Sequence, residues 1–256
     1  MIDELRQERP LVVCITNDVV KPFTANGLLA LGASPIMSGE SDEAADILKH
    51  AGALLLNIGT CTKEKLPLYE EMARCANNYN IPVVLDPVGY GASAFRKNFT
   101  DKLLGNYDIA LVKGNAGEIH ALSGQKTLSK GVDNVTEGNT VEIAKTAYDV
   151  LKVPVLVTGE TDAYADGNLT KTMHNGHEYL EVITGSGCVL GAVTASFLAL
   201  ENQPESIEYA VSLYNIAAEK AAQYAEGPGT FSVKLIDEIY NFKTDDYKTK
   251  KVKVHE

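Results

Sequence analysis

Gly185-Ser186-Gly187 runs directly into Cys188, and Val189, Ala192, Val193, Phe197 and Leu200 follow at helical spacing. A helix that starts here leaves the N–H groups of its first turn without partners, and glycine lets an anion approach that backbone closely. The chemistry this suits is phosphate binding. Negative charge is stabilised at the same place, so the Cys188 thiol is expected to have a lowered pKa. The stretch also reads as a tight turn leading to a buried, inert cysteine, since an isolated G-x-G-C is common by chance.

A second group lies at Lys113-Gly114-Asn115, with Glu118 one turn further on. Lysine supplies positive charge for a polyphosphate, while asparagine and glutamate supply oxygens that hold magnesium directly or through water. Asn115 and Glu118 equally have the spacing of a capping box. Asp86, in Leu-Asp-Pro, adds a carboxylate or simply opens a turn. Neither G-x-x-x-x-G-K-[ST] nor a G-x-G-x-x-G/A in a first strand–helix turn occurs, which counts against a P-loop or a dinucleotide fold. His174 and His177 flank an Asn-Gly pair and read as solvated hairpin residues rather than metal ligands, with no further ligand close in sequence. A thiol hydrolase built on Cys188 would need a histidine partner, and local context singles out none of the five histidines.

These residues need a scaffold, and the apolar runs supply one. Leu11–Thr16, Ala53–Gly59, Pro82–Pro87, Ile109–Asn115 and Pro154–Gly159 are short and rich in Val, Leu and Ile, the pattern of strands buried on both faces. Helical candidates alternate with them: 23–32, 41–51, 63–78, 94–104, 116–123 and 141–151. Alternation of this kind predicts an α/β fold, a mostly parallel sheet with helices on both faces. Ligands bind such a sheet at the carboxyl ends of its strands. Asn17 and Asp18, Asn57 and Thr60, Asp86, Lys113 and Asn115, and Thr158 all fall at those ends. Residues 160–182 carry Asp-Gly-Asn and Asn-Gly between short alternating segments, which predicts an antiparallel extension. Helices follow at 187–200, 204–225 and 230–241. Residues 126–139 read as a surface loop, and 243–256, polar and charge-rich, as a frayed tail beyond one domain spanning 1–242.

The net charge of −11 argues against sequence-independent binding to nucleic acid or to an anionic membrane. Four scattered cysteines without a CxxC pair suit reduced thiols, and neither a signal peptide nor a membrane-length apolar run is evident, so a cytoplasmic location is expected.

Taken in order, CITNDVVKPFTANGLLALGASPIM, LDPVGYGAS, KGNAGEI, VTGETD and TGSGCVLG closely resemble the hydroxyethylthiazole kinase family, of the ribokinase-like superfamily, from about Pro10 to Phe242. The resemblance implies a ribokinase-like fold and transfer of the ATP γ-phosphoryl group to the alcohol of 4-methyl-5-(2-hydroxyethyl)thiazole, with Mg2+, in thiamine salvage. It also implies a homotrimer with active sites at subunit interfaces. By its motifs Asn17, Met37 and the Gly185 backbone belong to the thiazole pocket. Lys113, Asn115 and Thr158 face ATP, and Asp86 and Glu118 lie around magnesium and the phosphates. Gly185, Gly187 and Cys188 are placed at the reacting centre, with Cys188 where most superfamily members carry a catalytic Asp. Two departures are Cys14, where many relatives carry His or Asn, and Lys113, where Arg would offer a bidentate fork. Beside a polyphosphate a thiolate is disfavoured, so Cys188 is expected to be a weak base that orients the alcohol. Alternative readings are a hydroxymethylpyrimidine kinase or an ATP/ADP-dependent hydrate dehydratase, both of which carry Asp at that position, and a non-catalytic thiazole-binding protein.

Overall fold

The computed structural model describes residues 1–124 and 137–255. Among them the strands are β1 (Leu11–Ile15), β2 (Ser34–Ile36), β3 (Ala53–Asn57), β4 (Val83–Asp86), β5 (Leu111–Asn115), β6 (Val155–Thr158), β7 (Asp162–Ala165), β8 (Thr170–Met173) and β9 (Val252–His255). They form one sheet in the order β2-β1-β3-β4-β5-β6-β7-β8-β9. Pairing is parallel from β2 through β6 and antiparallel from β6 to β9. The strand order reverses between β1 and β3, and a reversal of this kind opens a crevice at the strands' carboxyl ends.

The helices are α1 (Ile2–Glu8), α2 (Lys21–Leu31), α3 (Ala44–Leu48), α4 (Leu66–Asn78), α5 (Ala94–Asn106), α6 (Ala116–Leu122), α7 (Glu137–Leu151), α8 (Ser186–Leu198), α9 (Pro204–Ala222) and α10 (Pro228–Asn241). Alternate strand residues point to opposite faces, so each strand feeds two cores. Cys14, Leu55, Val84 and Leu156 pack with α1, α2, α8, α9 and α10. Val13, Leu54, Leu56 and Val157 pack with α3 to α7. The α8 helix is buried nearly all round, which is why its sequence is apolar on every side past the first turn.

The five expected parallel strands and the antiparallel extension are present. Two elements are additional, α1 and the three-residue edge strand β2. The α1 helix buries only Ile2 and Leu5, too little for a readable stripe. Its Arg6 side chain donates to the carbonyls of Ile239, Tyr240 and Phe242, closing the carboxyl end of α10.

Three expectations are corrected. The frayed tail is instead a 3-10 segment at Thr244–Thr249 followed by β9, paired along its length with β8. Two of its lysines, Lys250 and Lys251, pair with Glu208 and Glu219 of α9, which lie too far away in sequence to be noticed there. Of the two hairpin signals only Asp166-Gly167-Asn168 turns a hairpin, between β7 and β8. Asn175-Gly176 instead leads from β8 into a 3-10 turn at Glu178–Leu180. The expected loop 126–139 falls largely outside the described residues, and 137–139 open α7.

Candidate active site

The α8 helix points its first turn at the carboxyl ends of the strands. Gly185 is its N-cap at φ +89°, a left-handed conformation, and a Cβ there would overlap the Val20 side chain. The first intrahelical bond runs from the Val189 N–H to the Gly185 carbonyl, so Ser186, Gly187 and Cys188 present N–H groups with no partner inside the helix. The turn is braced from behind: Ser186 Oγ donates to the Leu180 carbonyl, and Tyr214 donates to the Ser186 carbonyl at 2.9 Å.

Cys188 faces three strand ends. Its Sγ accepts from the amide Nδ2 of Asn17, just past β1, and from that of Asn57, the last residue of β3, each at 3.2 Å. Asn57 Nδ2 also donates to Asp86 Oδ2, at the end of β4, at 2.8 Å. Its carbonyl accepts from Tyr69 and its Oδ1 from the Gly59 N–H, which fixes the amide's orientation. Asn17 Oδ1 is buried and has no hydrogen-bond partner among the described residues.

Lys113, on β5, completes the group. It is 4% exposed, and its Nζ donates to Asp86 Oδ2 at 3.2 Å. A Cβ on Gly187 would stand 3.2 Å from that Nζ, so the ammonium lies directly on the first turn of α8. Burial works against its charge, yet Asp86 first, then Cys188 and Glu118, hold the Lys113 pKa above its ordinary value. Burial pushes the Asp86 carboxyl up, against the pull of Lys113.

The lowered thiol pKa expected from the helix start is not what the site provides. Burial raises the Cys188 pKa, and the Asp86 charge raises it further; Lys113 and the amides of Asn57 and Asn17 only partly offset this. Desolvation of a thiolate outweighs the field of one helix turn. Cys188 is therefore a protonated thiol whose sulfur already accepts two N–H bonds.

Beside this group, and meeting it at Ser186 and Gly187, lies a cavity of ≈ 900 Å³. Asn115 and Thr158, paired in register across β5 and β6, line it, as do Asp162, His174 to Glu178, Leu190 and Asn215. Asp162, at the head of β7, accepts from the Gly159 N–H and from Asn215 Nδ2, and burial pushes its carboxyl up to about 6. Asn115 and Glu118 form the full capping box: Asn115 Oδ1 accepts from the Glu118 N–H at 2.8 Å and Glu118 accepts from the Asn115 N–H at 2.9 Å. Glu118 accepts from the Gly89 N–H as well. The cap leaves the carboxylate with lone pairs beyond those two bonds.

Among the described residues no three His, Cys, Asp or Glu side chains converge to hold a metal. What converges is a pair of carboxylates, Asp86 and Glu118, both charged neighbours of Lys113. A donor set this small cannot cage a cation alone, but it fits magnesium, which is typically held by one or two carboxylates, substrate phosphates and water.

The structure thus brings Asn17, Asp86, Lys113, Gly187 and Cys188 together, with Gly185 opening the turn. Asn115 and Thr158 line the cavity, and Glu118 caps α6 beside Asn115. Met37 lies just past β2, partly buried against the core that contains α8. His174 and His177 are not solvated hairpin residues. Both line the cavity; His174 Nε2 is 2.9 Å from Thr172 Oγ1, and His177 Nδ1 accepts from the Tyr179 N–H. Asn57 was visible as a polar strand end but had no assigned role. Arg96 gave no signal, although it donates to the carbonyls of Ile58, Gly59 and Val88 and so fixes the loops after β3 and β4.

Comparison with known proteins adds the family. The Hydroxyethylthiazole kinase family model matches residues 2–245. The chain belongs to that family. Hydroxyethylthiazole kinase 1 of Streptococcus pneumoniae (strain JJA) is 49% identical over 248 residues, 95% of each chain. A solved hydroxyethylthiazole kinase from Pyrococcus horikoshii OT3 superimposes with a TM-score of 0.92 at 37% identity, over 100% of this chain and 97% of that one. A ribokinase-like superfamily protein from Enterococcus faecalis V583 shares the fold, with a TM-score of 0.62 at 14% identity over 92% of this chain and 88% of its own. The family match contains Asn17, Asn57, Asp86, Lys113 and Cys188 and stops before β9.

Proposed function

We propose that this kinase transfers the γ-phosphoryl group of ATP to the primary alcohol of 4-methyl-5-(2-hydroxyethyl)thiazole, in thiamine salvage. Besides family membership, one observation carries the reading: the first turn of α8, whose N–H groups have no partner inside the helix, lies against the Lys113 ammonium and borders a cavity large enough for a nucleotide. Phosphoryl transfer proceeds through a loose transition state, so positioning and neutralisation of charge supply most of the rate.

In this reading ATP occupies the cavity, with Thr158 and Asn115 along its phosphates and Lys113 beside the transferring group. The α8 N–H groups receive the phosphoryl oxygens as charge develops on them. Magnesium, held by phosphate oxygens together with Glu118 and Asp86, supplies charge neutralisation when bound. Asn17, Met37 and the Gly185 backbone receive the thiazole. With its sulfur accepting from Asn17 and Asn57, the Cys188 thiol holds the alcohol in line rather than deprotonating it beforehand. The working form is a homotrimer with sites at its subunit interfaces, located in the cytoplasm; a set of free thiols without disulfides suits that compartment. No helix among the described residues is long and apolar enough to cross a membrane.

The test is ADP release with the hydroxyethylthiazole, with hydroxymethylpyrimidine and without an acceptor. Thiazole-dependent release is expected; folded protein that shows none would remove the reading. Sedimentation checks the trimer.

A further inference from the structure

The chain continues past the family match, and those residues bond from behind to a loop that lines the cavity. Asp246 and Tyr247 leave α10 and lie along α9. Lys220 pairs with Asp246 at 3.2 Å, and the Tyr247 ring packs on Tyr209 with centroids 4.2 Å apart. Tyr247 also donates to Glu208, which Lys171 of β8 reaches from the other side. The chain then pairs as β9 with β8. Just before that strand it meets the loop His174–His177, which lines the cavity.

Asn175 is the joint. It is 2% exposed and lines the cavity, yet its polar side-chain atoms are engaged by protein groups. Its Oδ1 accepts from the Lys251 N–H at 2.7 Å, and its Nδ2 donates to the Thr249 carbonyl and to both oxygens of Glu219 on α9. The Gly176 N–H donates to the same carboxylate, and Lys251 Nζ neutralises it at 3.0 Å. On the other side of the joint, the His174 N–H donates to the Lys251 carbonyl, and the Thr172 hydroxyl lies between His174 Nε2 and His255 Nε2. A hydroxyl donates to one ring and accepts from the other.

A buried amide whose hydrogen bonds all go to neighbouring protein segments, here the arm and α9, acts by placing its own backbone. We propose that the carboxyl-terminal arm, residues 246–255, is a positioning element of the nucleotide cavity. It holds His174–His177 against α9 through Asn175, and Lys251 removes the negative charge of Glu219 from behind a polyphosphate site. The arm acts on ATP affinity and leaves the thiazole side alone, because its contacts reach α9, β8 and this loop. The proposal rests on the cavity being the ATP site.

Two full-length variants test it. Lys251→Pro removes the N–H to Asn175 and the charge on Glu219; Glu219→Ala removes the anchor from the opposite side. Calorimetric titration with ATP, without the alcohol, is expected to give a dissociation constant raised about tenfold in each, the size of effect expected from one or two loop-ordering hydrogen bonds. The double variant should be no weaker than the worse single one, because both cut the same joint. In turnover, KM for ATP rises while kcat and KM for the thiazole stay near those of the unaltered protein. A lowered melting temperature with unchanged ATP affinity in both variants overturns the arm's role. If Lys251→Pro does not fold, Glu219→Ala decides. An unaltered protein that binds no ATP overturns the arm and the cavity together; one that binds ATP but shows no thiazole turnover refutes only the proposed reaction.

Discussion

The Cys188 thiol sits at the first turn of α8 with its sulfur and its proton both accounted for by what surrounds it. Its lone pairs meet two amide donors and its ionisation is suppressed by burial and by Asp86. A group in that state orients a hydroxyl but is a poor base. Cys188→Ala is therefore expected to slow phosphoryl transfer without abolishing it, and Cys188→Asp to remain active, both read as single-turnover rates. An alanine variant at the unaltered rate would exclude the thiol from the reaction. Gly187 makes a sharper case, because a Cβ there would crowd the Lys113 ammonium while suiting a helix. Gly187→Ala should keep its melting temperature and lose about 10²-fold or more in kcat, the order of losing one preorganised donor.

Between β6 and β7 a tight turn couples chemistry to pH. Asp162 accepts from the Gly159 N–H inside that turn and from Asn215 on α9, and its carboxyl is raised from an ordinary 3.8 to about 6. Between those values the native chain binds a proton that the unfolded chain has lost, so stability falls as pH rises through the window. The shift corresponds to about 3 kcal/mol. Melting temperature should drop between pH 4 and 6, and Asp162→Asn should flatten that slope; an unchanged slope would place the titration elsewhere. Elements were legible wherever period and end residue agreed: the parallel strands, the capping box of α6 and the start of α8 all announced themselves. The missed or misread ones share a physical cause. In α1 two buried apolar residues make no stripe, in β2 a proline interrupts three residues, and in β9 two valines alternate with Lys253, directly after Lys250 and Lys251, whose partners lie on α9. Lysine on an edge strand is what protects it from pairing with other chains, so the strand looked like a solvated tail. The thiol's ionisation was misread for a different reason: a helix start is visible in sequence, whereas the depth of its burial is a property of the folded chain.

The sheet divides the molecule into two cores, and adjacent residues of one strand belong to different ones. Leu54 packs with α3 to α7, while Leu55 packs on the α8 side, where its Cδ1 would stand 3.3 Å from a Cβ on Gly191. Truncating either to alanine should cost roughly 2–5 kcal/mol of stability. Only Leu55→Ala should also lower kcat, because only it loosens α8 against β3; equal kcat in the two variants would show that the site is insensitive to that contact. The same two cores govern the protein's sulfur chemistry. Burial leads the causes that raise the pKa of all four cysteines: Cys14 to about 12, and Cys61, Cys75 and Cys188 above their ordinary value. Peroxide and alkylating agents attack thiolates, and thiolates are what this fold withholds. Cys188 is therefore expected to react slowly with oxidants and electrophiles, for a reason that lies in the fold around the sulfur and not in the solution around the protein.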